Sequence, residues 1–172
     1  SVRVLAGADP RRIPASEVVS AFAWREALGR VSQGPPHLQG RVQADASGWA
    51  FSGPGALLLS PPPGATYRLD LTLASTQAPV AAGISCQLGG ETAVWELPAP
   101  LWDGRSHRLT VEASPLGVLV RVDGAVMRRV GRETFRPNRL AASPGAGLVV
   151  WGGGVRVSSA SLRVLGDVGA AR

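Results

Sequence analysis

Leu101-Trp-Asp-Gly-Arg-Ser-His-Arg-Leu-Thr-Val-Glu-Ala-Ser-Pro-Leu-Gly-Val-Leu-Val-Arg-Val-Asp-Gly124 holds two runs of alternating side chains and the turns that bound them. Leu109 and Val111 alternate with Arg108, Thr110 and Glu112, and after Gly117 the apolar Val118, Val120 and Val122 alternate with Leu119 and Arg121. Successive side chains of an extended chain point to opposite faces, so each run has one face to bury. Asp123-Gly124 closes the second run. That dipeptide favours a two-residue type I′ turn, whose central positions both need positive φ, and a third strand is expected to return antiparallel from residue 125.

The same pattern extends in both directions. Tyr67, Leu69, Leu71 and Leu73 oppose Arg68, Asp70 and Thr72. Strands are expected at 39–45, 48–51, 56–59, 66–74, 81–87, 92–97, 106–113, 118–122, 125–130, 147–151 and 155–165. Turn sequences separate them, among them Gly53-Pro54-Gly55, Pro61-Pro62-Pro63-Gly64, Gly89-Gly90, Asp103-Gly104 and Gly152-Gly153-Gly154. No helical stretch alternates with these strands, which excludes a parallel α/β sheet. The expected fold is all-β, a two-sheet antiparallel sandwich over residues 38–166.

The N-terminal residues read differently. Val18, Val19, Phe22 and Leu28 recur near helical spacing after Ser16, an N-cap residue, with Glu17 in the first turn. A short helix over 16–29, or an irregular segment, is expected within residues 1–37, ended by Gly34-Pro35-Pro36. Residues 167–172 read as a tail.

Composition agrees with a globular chain of 172 residues, 45% hydrophobic and 17% charged, with 22 Gly and 14 Pro for its turns. No run is long enough for an apolar membrane span. The chain opens without a basic-then-apolar leader and is expected to be a mature or trimmed fragment. All 18 basic residues are arginine, which fits a GC-rich coding bias, and the net charge is +6. Arg11-Arg12, Arg128-Arg129 and the loose group Arg132, Arg136 and Arg139 do not make a nucleic-acid footprint. The single cysteine, Cys86, excludes an internal disulfide framework.

The stretch quoted above resembles the concanavalin A-like lectin/glucanase superfamily, and within it the laminin-G-like jelly rolls. The likeness rests on the Asp103-Gly104 turn, the strand begun by His107-Arg108-Leu109-Thr110-Val111, and the Val122-Asp123-Gly124 hairpin. Ser106 stands where the family pattern has tryptophan before the histidine. Gly147-Leu-Val-Val-Trp151 followed by residues 155–165 looks like the family's closing strand pair, and Ser47-Gly48-Trp49 like an early hairpin. The resemblance covers about residues 45–165. It implies a jelly roll that is secreted, periplasmic or at the cell surface, with a structural role for His107.

Catalytic chemistry finds little support in the residues. Retaining glycosidases need two carboxylates about 5 Å apart. Glu96, beside Trp95, has no second carboxylate close by in sequence, leaving only a cross-strand pair such as Glu96 with Glu112. His37 and His107 with one cysteine do not complete a zinc site. Asp45, Asp103 and Asp123 are scattered in sequence, so structural calcium has no motif behind it, and no metal or cofactor is expected.

Binding is the expectation that remains. Sugars stack their CH-rich faces on exposed indoles, and the chain has five tryptophans. Trp102 is the candidate platform, with Trp95 read as core. The outward face should add Arg68, Asp70, Arg108, Glu112 and Arg121, and Glu96. These groups can also pair with one another as cross-strand ion pairs. The sequence thus points to a non-catalytic carbohydrate-binding module, an accessory domain of a larger envelope glycosyltransferase or hydrolase. The alternatives are an extracellular protein-interaction or structural domain, and a glycoside hydrolase with an unrecognised carboxylate pair.

Overall fold

A computed structural model describes residues 36–62, 64–138, 140 and 143–164. The helix expected over 16–29 and the tail at 167–172 lie outside them. The described residues form eight strands: β1 (His37–Asp45), β2 (Gly48–Leu59), β3 (Tyr67–Leu88), β4 (Glu91–Glu96), β5 (His107–Ser114), β6 (Gly117–Val122), β7 (Ala125–Gly131) and β8 (Ala146–Val164). One 3-10 turn, Ala99–Leu101, joins β4 to β5. All pairings are antiparallel, in the order β1-β2-β8-β3-β5-β6-β7, with β4 on β3.

Three pairs of segments read as separate strands are continuous. Residues 48–51 and 56–59 join in β2, 66–74 and 81–87 in β3, and 147–151 and 155–165 in β8. Each long strand is interrupted by register shifts where the short segments were expected to end. Residues 67–77 of β3 pair with β5 and with the end of β8, whereas residues 81–88 pair with β4 and the start of β8. The strand doubles back between them. The Tyr67 hydroxyl at its beginning donates to the Gln87 carbonyl at 2.7 Å and accepts from the Gln87 N–H at 2.9 Å.

The expected Gly152-Gly153-Gly154 turn is therefore a continuous stretch of β8 that passes a bulge of β3 at residues 78–80. Gly153 sits at φ +84°, and a Cβ there would overlap the Pro79 carbonyl of β3. Glycine is required because the two backbones pass too closely for a side chain.

The core lies between the two arms of the long strands. Leu69, Leu71 and Leu73 from one arm meet Ile84 and Cys86 from the other, with Leu57, Leu109, Val111, Leu148 and Val157, all essentially inaccessible to solvent. Full burial of each such leucine contributes roughly 1.5–3 kcal/mol. Trp95, read as core, is half-buried and packs against this cluster at its margin.

An edge strand needs protection from unwanted pairing. Asn138 supplies it for β4, since its carboxamide accepts from the Val94 N–H at 3.1 Å and donates to the Val94 carbonyl at 2.7 Å.

Candidate functional site

An open cleft of about 490 Å³ lies where β3 bends. Its walls come from Val80–Ala82 of β3, the end of β4 with the 3-10 turn, Met127 and Arg128 of β7, and Trp151 of β8. Trp102 and Trp151 both line it, and both are half-buried.

Local geometry places each indole. After Pro98 the chain tightens, with the Leu101 N–H donating to the Pro98 carbonyl at 3.1 Å and that of Trp102 to Ala99 at 3.0 Å. Leu101 is buried at 3% exposure and anchors the turn, which leaves Trp102 at the rim. Trp151 occupies a bulge. Val150 pairs with Ala82 and Gly152 with Ala81, so Trp151 is the extra residue of β8 between them. Bulges re-aim side chains in this way. The indole lies over Gly83, where a Cβ would come within 2.7 Å of its ring.

A second bulge shapes the opposite wall. Val120 pairs with Arg128 and Arg121 with Val126, leaving Met127 as the extra residue of β7. Arg128 lies over the Trp95 ring, 5.2 Å from its centroid, and Trp95 meets Phe135 edge-to-face at 5.9 Å. Such a contact holds the guanidinium in place while its in-plane N–H donors remain available. Glu96 lines the same cleft, and neither it nor Arg128 has an ion-pair partner among the described residues.

The remaining candidates gather elsewhere, on the outward face of β3, β5 and β6. Asp70 accepts from Arg68 at 3.1 Å, Arg108 at 3.0 Å and Thr110 at 3.0 Å. Glu112 pairs with Arg121 at 3.0 Å and with Arg68 at 3.9 Å. This face was expected to be open, but Glu112 and Thr110 are each only 7% exposed and Leu119 is fully buried. Ion pairing draws the long arginine stems across the strands instead of into water. Arg108, although it too pairs with Asp70, is the most exposed of these side chains, at 59%. Glu96 and Glu112 fall on opposite arms of the fold, beside Gly83 and Arg68 of β3, and do not form a carboxylate pair.

Against this geometry stand the known proteins. No protein-family model and no curated protein matches the chain. Solved structures do. The carbohydrate-binding module CBM66 from Bacillus subtilis is similar at a TM-score of 0.51 and 12% identity, over 72% of this chain and 91% of that one. A candidate glycosyl hydrolase from Parabacteroides distasonis is similar at 0.53 and 9%, over 73% and 84%. The chain shares the antiparallel jelly-roll architecture of these structures. At such identities the likeness is one of architecture.

Within this jelly roll His107 ties two turns together. Its Nδ1 lies 2.7 Å from Asp123 and its Nε2 2.8 Å from Asp103. Hydrogen bonds to Asp123 and then to Asp103 raise the imidazole's pKa, since a protonated ring can donate to both. Asp123 is lowered first by the Arg108 N–H and then by His107, and Asp103 first by His107.

Met127 and Arg128 carry no signal in the sequence that marks them as site residues. Trp151 read as a residue beside a turn, and nothing in the alternation of β7 marks Met127 as an extra residue. The bulges that expose them depend on which residues face them across the sheet.

Proposed function

We propose that this jelly roll is a non-catalytic carbohydrate-binding module whose ligand occupies the cleft between Trp102 and Trp151. The observation that carries the reading is two half-buried indoles on the walls of one cleft with an unpartnered carboxylate and guanidinium. Apolar platforms with a few converging polar groups suit a hydroxylated ring that has both CH and OH faces. The ion-paired face of Arg68, Asp70, Arg108, Glu112 and Arg121 is assigned to holding the strands together. A role as accessory domain of an envelope glycosyltransferase or hydrolase, outside the cytoplasm, follows from the same reading. Among the described residues no helix is long and apolar enough to cross a membrane.

A glycan-array screen of the purified domain, with Trp102→Ala and Trp151→Ala variants checked for native folding, tests the proposal. Binding weakened at least about tenfold in each variant is expected, because each loses one stacking surface. A folded protein that binds no glycan sinks the carbohydrate reading. The protein-contact reading would then gain, supported by an apolar trough of about 340 Å³ beyond Trp151, lined by Pro54, Ala56, Leu58, Leu140 and Val149.

A further inference from the structure

We infer that the cleft selects a carboxylate-bearing sugar, bound in one orientation with its acid group on Arg128 and its hydroxyls on Glu96. The inference rests on the carbohydrate-binding reading above and names the class of sugar.

Arg128 differs in its surroundings from the ion-paired arginines. Arg68, Arg108, Arg121, Arg132 and Arg156 each face a carboxylate of this chain. Arg128 faces an indole instead, and it is the only cation among the described residues lining the cleft. Its positioning is built in layers: Phe135, fully buried, sets the edge of Trp95, and Trp95 sets the guanidinium. A planar fork held on a ring face, with its donors unused, matches a carboxylate bidentately at little cost in ordering. The net charge of +6 adds a long-range field that favours anionic ligands.

Glu96 fixes the direction. An ionised carboxylate only accepts, so it takes hydroxyl donors and repels a second acid group. A sugar acid can therefore satisfy both residues one way round: carboxylate toward β7, hydroxyl edge toward β4. Reversed, it sets two like charges together and leaves the guanidinium with neutral acceptors only. The indoles of Trp102 and Trp151 stack on the ring between them in either case, so the charges decide orientation and class while the indoles supply contact area.

The test compares uronate-containing oligosaccharides with the carboxyl-reduced form of each, which keeps linkage and stereochemistry and removes only the charge. Titration calorimetry on the whole chain at low salt should give binding of the acid form about tenfold or more tighter, with the advantage shrinking as salt is added. Arg128→Gln should abolish that preference and Arg128→Lys retain part of it, while near-ultraviolet circular dichroism confirms native packing. Glu96→Gln should leave the preference in place or enlarge it. Equal or tighter binding of the reduced forms, or a preference that survives Arg128→Gln, overturns the inference and leaves the carbohydrate reading standing. Neutral glycans bound on the array with every uronate refused also overturns it. If no glycan of any charge binds, the reading beneath it fails as well.

Discussion

His107 is held from both sides by carboxylates, so its proton sets how firmly the Asp103 and Asp123 turns are joined. Its pKa is raised above 6.5, and the stability it contributes is complete below that value and fades as the pH climbs through the raised one. Asp103 and Asp123 are lowered from 3.8, so theirs is complete above 3.8 and is lost as the pH falls through the lowered values. The melting-temperature gap between the native chain and His107→Gln should thus be widest between pH 3.8 and 6.5 and narrow as the pH climbs through the raised imidazole pKa. A gap that does not change with pH would deny the imidazole its charged role. Tyr67→Phe should cost about 1–3 kcal/mol in chemical denaturation, because it strips partners from both the N–H and the carbonyl of Gln87. The two residues differ in how readable they were. Asp123-Gly124 announced its turn, and φ values of +49° and +85° are those a type I′ turn requires. Tyr67 announced only a buried face; that its hydroxyl would reach the far end of its own strand is a property of the bend.

At the scale of elements, the sequence placed nearly every extended segment but cut three strands where they bend. Gly53-Pro54-Gly55 and Gly152-Gly153-Gly154 read as turns because a turn and a bulged, bent strand draw on the same residues. What separates them is the strand passing opposite, which the local pattern does not contain. Gly153→Ala should therefore be far more damaging than a loop glycine replacement, lowering stability by about 2 kcal/mol or more, since it meets both a positive φ and the Pro79 carbonyl. Gly104→Ala, with open space around its Cβ position, is the comparison that isolates the clash, because that glycine shares the positive φ at +83°. Asn138→Ala should lower stability by about 1–3 kcal/mol and leave the outer edge of β4 bare. Light scattering near the melting transition should then report earlier aggregation than in the native chain.

Across the whole molecule, β3 and β8 belong to both layers, so neither layer can open alone. Tryptophan fluorescence and far-ultraviolet circular dichroism should trace one coincident unfolding transition for these strands. Cys86, fully buried on β3 with its thiol pKa raised by burial, should react with a thiol reagent only as fast as the core opens. Rapid labelling of the native chain would contradict that. The candidate site was partly legible at this scale. Trp102 and Glu96 line the cleft, while Arg68, Asp70, Arg108, Glu112 and Arg121 are gathered on another face. Alternation reveals which residues share a face of one strand, but a cleft at a bend joins residues from five separate stretches, and two of its walls depend on bulges.

The position of β8 bears on how the chain is made. Among the described strands it comes last in sequence and yet lies between β2 and β3 in the sheet. A growing polypeptide exposes the bare edges of both neighbours until residues 146–164 have left the ribosome. Folding of this sheet thus waits until β8 has been made, and a chain cut short of β8 would carry two unsatisfied strand edges ready to pair with other copies.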